Sequence, residues 1–198
     1  MDKWLNSIEL TGNLVTLKPL TLKDVPGLTD AVKDGDIWKL WYTSAPKPDE
    51  VKAYIQRAIG EFDMDKSLPF AISSNESNRI VGTSRFMNAD ARNKRVEIGT
   101  TWYSQSAQRT GINTECKYLM LQYAFETLGC IAVEFRTHWH NTQSRNAIAR
   151  LGAKQDGVLR NHQIDPYGLL RDTVVFSILN SEWPTVKNSL QFKMNKKY

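Results

Sequence analysis

The sequence predicts an α/β protein: one mixed, mostly antiparallel sheet of seven strands with helices on both faces. Three observations point there. Some segments repeat their apolar residues every three or four positions, whereas others alternate apolar with polar. Three alternating runs between residues 68 and 103 follow one another across short polar links, as in a meander. The resulting order, β-α-α-β-β-β-α-β-α-β-β, has no internal repeat and no low-complexity linker, so a single domain over residues 1–198, with its core at about 10–190, is expected.

The first strand is Asn13–Leu20, where Val15 and Leu17 alternate with Leu14, Thr16 and Lys18, and Pro19 ends it. Thr21 then caps a helix, with Asp24 three residues on and Pro26 in the early turns, where a missing N–H costs little. A second helix begins near Pro48-Asp49-Glu50 and carries Val51, Tyr54, Ile55, Ala58, Ile59 and Phe62 on one core-seeking face. The meander follows as Phe70–Ser73, Arg79–Met87 and Arg95–Tyr103. Thr114–Leu128 is a long helix with Cys116, Leu119, Met120, Tyr123, Ala124 and Leu128 on one side and Gly129 at its stop. Ile131–Thr137 is a short strand, and Gln143–Leu151 a short helix stopped by Gly152. Val158–Ile164 and Arg171–Leu179 are strands joined by the turn Asp165-Pro166-Tyr167-Gly168, and Glu182–Leu190 closes the chain as a last helix.

Composition narrows the function classes. With 41% hydrophobic residues the chain can bury a substantial core. It has no apolar run of about 18 residues and no signal-like start, so neither a membrane span nor export is expected and a cytoplasmic location is. Cys116 and Cys130 lie in apolar segments outside any CxxC pair and read as buried thiols. The net charge of +5 gathers partly in the tail, at Lys187, Lys193, Lys196 and Lys197, and partly at Arg92–Arg95. Zinc-finger spacing, RNP-like strands and basic helices with interleaved aromatics are all missing, which argues against nucleic-acid binding. His138 and His140, two apart, could share a face and a metal, but no third ligand has matching spacing, so no metal is expected.

The segment "AQRTGINTECK", residues 107–117, joins a strand to a helix through a glycine-bearing turn. Free N–H groups at a helix start, together with the helix dipole, make an anion site; Gly111 allows close approach, and Arg109 and Lys117 add positive charge. A mononucleotide P-loop is excluded because Ile112-Asn113 stands where Lys and Ser or Thr are required. A dinucleotide fingerprint is excluded because the turn follows antiparallel strands.

The whole order resembles the GNAT superfamily of acyl-CoA-dependent N-acyltransferases. Their signature, Gln/Arg-x-x-Gly-x-Gly/Ala, is met by Gln108-Arg109-Thr110-Gly111-Ile112-Asn113 at Gln108 and Gly111, with Asn113 at the last position. The segments "VEIGTTWYS", "HNTQSRNAIARLGAKQDGVLRNH" and "RDTVVFSILNSEWPTVKNSL" look like the ribosomal-protein-alanine (RimJ/RimL-type) branch, the most specific match being Asn141-x-x-Ser144-x-Asn146 followed by Leu151-Gly152-Ala153. The resemblance implies a GNAT fold with splayed central strands and acetyl-CoA as cosubstrate. It implies that Thr101, Trp102 and Tyr103 offer a free strand edge to the pantetheine arm and that Gln108, Arg109, Thr110, Gly111, Ile112, Asn113 and Thr114 hold the pyrophosphate. It further places Asn141 on the pantetheine and Ser144 near the CoA sulfur, where a hydroxyl can meet the leaving thiolate, and suggests a homodimer.

Acetyl transfer to an amine requires an ammonium to lose a proton. Glu97, between Val96 and Ile98 of a central strand, either looks into the cleft as that base, acting directly or through a water relay, or is paired, for example with Arg85 or Arg95. Where some relatives carry a glutamate about nineteen residues past the serine, this chain reads Asn161-His162-Gln163, and His162 is the replacement candidate. The expected activity is direct transfer from acetyl-CoA to a primary amine, on a protein N-terminus or a small molecule; the alternative is a silent acyl-CoA-binding sensor. The Trp38–Ser44 region and the Val158–Leu170 hairpin are expected to shape acceptor choice.

Overall fold

The structure, a computed structural model, describes residues 3–165 and 167–195. Its elements are β1 (Leu10–Thr11), β2 (Val15–Pro19), α1 (Val25–Lys33), α2 (Val51–Asp63), β3 (Ser67–Ser74), β4 (Ile80–Asp90), β5 (Arg95–Tyr103), α3 (Ile112–Gln122, continuing as a π-helical turn over Tyr123–Thr127), β6 (Ala132–His138), α4 (Thr142–Leu151), β7 (Lys154–Ile164), β8 (Leu170–Leu179) and α5 (Trp183–Asn195). The sheet has eight strands in the order β1-β2-β3-β4-β5-β6-β8-β7, and β5–β6 is its parallel pair.

The eighth strand is β1, too short for any periodicity to reveal. It pairs Leu10 with Leu17 and Thr11 with Thr16 because the turn after it is clamped from a distance. The buried Glu115 carboxylate on α3 accepts the backbone N–H groups of Asn13 (3.0 Å), Leu14 (2.6 Å) and Val15 (3.0 Å). Those bonds also explain why β2 starts at Val15 and not at the expected Asn13. At the other end of β2, Asp24 accepts the Thr21 N–H at 2.7 Å, and Pro26 stands in the first turn of α1 as expected.

Pleating puts successive residues on opposite sheet faces, and the two cores follow from it. Phe70, Ile72, Val96, Ile98, Val133, Phe135, Val174, Phe176 and Ile178 bury against Cys116, Met120, Leu121 and Ala124 of α3. Ala71 and Trp102 turn the other way, onto Leu28, Val32, Val51, Ile55 and Ala58 of α1 and α2. Each fully buried Phe, Leu or Ile contributes about 1.5–3 kcal/mol, so the α3 face carries the larger share of the stability. The expected glycine stops are both left-handed, Gly129 at φ 65° and Gly152 at φ 104°. In the β7–β8 turn, Gly168 has φ 81° and its N–H reaches the Asp165 carbonyl at 3.0 Å; Pro166, on which the expected turn also rested, lies outside the described residues, as do Lys196 and Lys197 of the basic tail. No helix among the described residues is long and apolar enough to cross a membrane.

Candidate active site

The sheet opens at its centre. β5 and β6 pair only at Arg95–Ala132, Val96–Val133 and Glu97–Glu134; beyond that β5 runs on beside β4 alone, and β6 beside β8 alone. The N–H and C=O groups on the outer edge of Ile98–Tyr103 therefore face a wedge-shaped gap. A bulge turns β5 at this point. Thr83 of β4 faces Trp102 and Arg85 faces Gly99, so Ser84 stands opposite both Thr100 and Thr101, and Thr100 is left-handed at φ 49°. That conformation costs a β-branched residue on the order of 1–3 kcal/mol and persists only where its surroundings enforce it.

The enforcing group is Lys117. Its place in the sequence puts it among the cations of the turn; in the fold it is instead buried, and its Nζ donates to Thr101 Oγ1 at 2.6 Å and Ser84 Oγ at 2.8 Å, one hydroxyl from each side of the bulge. Burial without a carboxylate partner pushes its pKa down to about 8. The visible signal was a lysine on the core stripe of a helix, three residues before Met120 and four before Leu121.

The wide end of the gap meets the start of α3. This helix begins at Ile112 with Gly111 as its cap, two residues before the expected Thr114, so Asn113 is inside the first turn and not at the cap. The left-handed residue of the turn is Arg109 at φ 60°, whereas Gly111 is right-handed. A Cβ at 111 would come within 2.7 Å of Leu14 Cδ1, the tip of an exposed side chain that can turn aside. Gln108 Nε2 fastens the turn to the Tyr103 carbonyl at 3.1 Å, and Thr110 Oγ1 donates to the Ala107 carbonyl at 2.7 Å. Among the described residues the backbone N–H groups of Arg109, Thr110, Gly111, Asn113 and Thr114 have no partner, which leaves a nest of donors at the positive end of a helix.

One face of the gap is lined by charge, from Glu97 at its apex to His138 and Arg171 toward its open end. By register, Glu97, Glu134, Arg136, His138, Thr173 and Arg171 share the sheet face that carries α1 and α2. Glu97 is buried and pairs with neither Arg85 nor Arg95: Arg85 goes to Glu61 at 2.7 Å, and Arg95 to Glu134. Its partners are the Asn88 amide, which donates to Oε2 at 2.8 Å, and Arg136 Nε at 3.5 Å. Its other oxygen lies over Gly99, where a Cβ would stand 3.1 Å from Oε1. Burial raises the Glu97 pKa, and the Asn88 bond and the Arg136 charge offset part of that rise.

His138 ends β6, with its Nδ1 accepting the His140 N–H at 3.1 Å, so the remaining proton of the neutral ring is on Nε2. The strand stops there: His140 belongs to a turn, and Trp41 from the α1–α2 connection packs on His138 with ring centroids 4.9 Å apart. Burial, Arg171 and His140 together lower the His138 pKa. His162, on exposed β7, shares a hydrogen bond with Thr173 Oγ1 at 3.1 Å, and Thr173 pairs directly with His138. Asn141 caps α4 as expected, its Oδ1 accepting the Ser144 N–H at 2.9 Å; the Ser144 hydroxyl has no partner among the described residues. Cys116 and Cys130 are both buried.

The sheet is thus parted between two parallel strands, with a donor nest at one end of the gap and a buried carboxylate at the other. The chain belongs to the GNAT acetyltransferase family: the family model described as "Acetyltransferase (GNAT) domain" matches residues 15–154. It is 25% identical over 171 residues to an uncharacterized N-acetyltransferase, p20, of Bacillus licheniformis, covering 85% of this chain and 94% of that one. It superposes on a GCN5-related N-acetyltransferase from Brucella melitensis with a TM-score of 0.86 at 29% identity, over 96% of this chain and 86% of the other. RimJ of Mycobacterium smegmatis, solved in complex with CoA-disulfide, shares the fold at a TM-score of 0.76 and 20% identity, over 95% of this chain and 93% of that one. By its family the protein is an acyltransferase.

Proposed function

We propose that the protein moves the acetyl group of acetyl-CoA directly to the nitrogen of a primary amine, with Glu97 as the base. The carrying observation is the parting of β5 from β6 immediately after the Glu97–Glu134 pair, which leaves Glu97 Oε1 over Gly99 at the apex of the gap. Acetyl-CoA supplies the acetyl thioester. The residues present fit it: the free edge at Thr101, Trp102 and Tyr103 suits an amide-bearing arm, and the bare N–H groups between Arg109 and Thr114 suit a pyrophosphate.

Glu97 takes the proton of the incoming ammonium. Its desolvated carboxylate binds a proton more readily than an exposed one would, and with Oε2 tied to Asn88 and Arg136, Oε1 remains for the amine. Ser144, its backbone held by the Asn141 cap and its hydroxyl uncommitted, donates to the departing sulfur, while Asn141 offers its amide to the pantetheine. His162, held by Thr173 on the same face, has the lesser role of receiving the proton at the rim. The Asn141-x-x-Ser144 spacing supports placement in the RimJ/RimL branch. We further propose a single-domain cytoplasmic enzyme that dimerises along the exposed outer edge of β7, which light scattering would test.

The test is consumption of labelled acetyl-CoA with a panel of amines. Transfer by the wild type that Glu97→Gln abolishes without loss of acetyl-CoA affinity supports the reading. A Glu97→Gln enzyme as fast as the wild type removes Glu97 from the mechanism.

A further inference from the structure

On the charged face of the sheet one guanidinium has no acceptor among the described residues. Arg85 donates through Nη1 to Glu61, although its own Nε is buried without an acceptor; Arg95 pairs with Glu134, and Arg136 with Glu134 and Glu97. Arg145 donates to the Trp139 carbonyl and lies over that residue's ring, and Arg160 pairs with Asp172. Arg171 makes neither a hydrogen bond nor an ion pair among the described residues, and its Nε is sealed from solvent without an acceptor. Buried polar groups ordinarily find partners, so an orphaned guanidinium N–H beside a cleft marks a place where a ligand supplies one.

Register locates it. Arg171 stands two residues before Thr173, which pairs with His138, the last residue of β6; its side chain therefore shares the face of His138 and Glu97 and lies just beyond the end of β6, where the gap opens. The charged groups acting on it are Glu97 across the gap and His138 beside it, and burial works against its charge. Neither relieves it: Glu97 Oε2 is occupied by Asn88 and Arg136, and the neighbouring Asp172 is engaged by Arg160 and by the Asn161 N–H at 2.7 Å. On His138 lies the Trp41 ring, with centroids 4.9 Å apart, and the Tyr42 ring stands 6.5 Å away.

We propose that Arg171 anchors an anionic group of the acceptor, so that the amine acetylated here carries a carboxylate or a phosphate a few bonds from its nitrogen. The planar guanidinium suits either group through two parallel hydrogen bonds. An α-amino acid fits the arrangement, with its carboxylate on Arg171, its amine toward Glu97 and its side chain against Trp41; an aminoalkyl phosphate fits in the same sense. A polyamine or an uncharged alkylamine leaves Arg171 without an acceptor. The proposal rests on the acetyltransferase reading and on Glu97 marking the acceptor side.

The test uses full-length protein and matched acceptors: α-amino acids against their decarboxylated amines, and O-phosphoethanolamine against ethanolamine. Within the pair the site is built for, the anionic member is favoured in kcat/KM by about 10- to 100-fold, the range of one charge-assisted pair. Which pair shows the preference tells carboxylate from phosphate. Arg171→Gln collapses the ratio toward one, mainly through KM, and Arg171→Lys keeps part of it, while acetyl-CoA affinity stays within about threefold as a check on folding. Equal use of both members of every pair, or a preference that survives in Arg171→Gln, overturns the anchor. A readout independent of turnover is calorimetric binding of the N-acetyl amino acids and of inorganic phosphate to the CoA-loaded protein: binding that Arg171→Gln removes supports the anchor, and no binding overturns it. Failure of acetyl-CoA itself to bind would sink the acetyltransferase reading instead.

Discussion

The two faces of the central sheet handle buried charge in opposite ways. On the α3 face a single ammonium, Lys117, is surrounded by apolar side chains and satisfied by two hydroxyls, with no carboxylate in hydrogen-bond reach. On the other face, carboxylates and guanidiniums interleave from Glu97 and Glu134 through Arg95 and Arg136, and Arg171 finds no ion-pair partner among the described residues. The first arrangement carries a desolvation penalty and returns a clamped bulge in β5. The second offsets charge by charge and leaves a carboxylate and a guanidinium free for chemistry. Buried charge thus holds backbone shape on one face, and on the other it leaves the two groups on which the proposed chemistry rests.

Removing the free carboxylate would break this contrast most visibly. Glu97→Gln is expected to lower kcat by about 10²–10⁴-fold, the usual weight of a general base, with acetyl-CoA affinity little changed. Steady-state kinetics and calorimetry decide it, and a change in affinity matching the change in rate would mean that Glu97 is structural.

Lys117→Met addresses the other face and should stabilise the fold at neutral pH by about 1–4 kcal/mol, as apolar replacement of a poorly compensated buried charge often does. Its pH dependence carries the sign. The folded pKa of about 8 lies below the ordinary 10.5, so the penalty is fully present below about 8 and is relieved as pH rises through 8 to 10.5. The stability advantage of the variant should therefore narrow between pH 7.5 and 10 in denaturant titrations; a constant advantage would mean that Lys117 is not the titrating group. The same variant frees the bulge, so a rise in KM for acetyl-CoA alongside greater stability would separate the two roles of that charge.

Smaller effects follow at the edges of the gap. Ser144→Ala is expected to cost about tenfold in kcat, as for one hydrogen bond to a developing anion, and a thiol-release assay that finds full activity would dismiss its role. Asn113→Gly should leave acetyl-CoA affinity within about threefold, because Asn113 is inside the first turn of α3 and the special backbone angles belong to Arg109, with only the modest helix penalty of glycine to register. Much tighter binding would make Asn113 a residue that obstructs the pyrophosphate.

Local rules carried much of the reading. Gly129 and Gly152 stop their helices, Asn141 caps α4, and the strand–turn–helix unit around Gly111 forms where the turn chemistry put it, because each depends on residues a few positions apart. The errors fall where distant segments meet. The Asn13 start missed a clamp supplied by Glu115, about a hundred residues away; the partners of Glu97 came from β4 and β6 and were not the arginines nearest in pattern; Lys117 turned inward.

By itself the sequence determined the elements other than β1, their order, the two-faced pleat and the presence of a donor-rich turn before α3, since periodicity, caps and glycine conformations are properties of short stretches of chain. Only the tertiary structure decided that β5 leaves β6 after three residue pairs, which hydroxyls take the Lys117 proton donors, and that Arg171 ends without an acceptor beside Glu97. Those outcomes depend on which strands become neighbours and in what register, and on the cost of each buried charge in that setting, quantities that no local pattern contains.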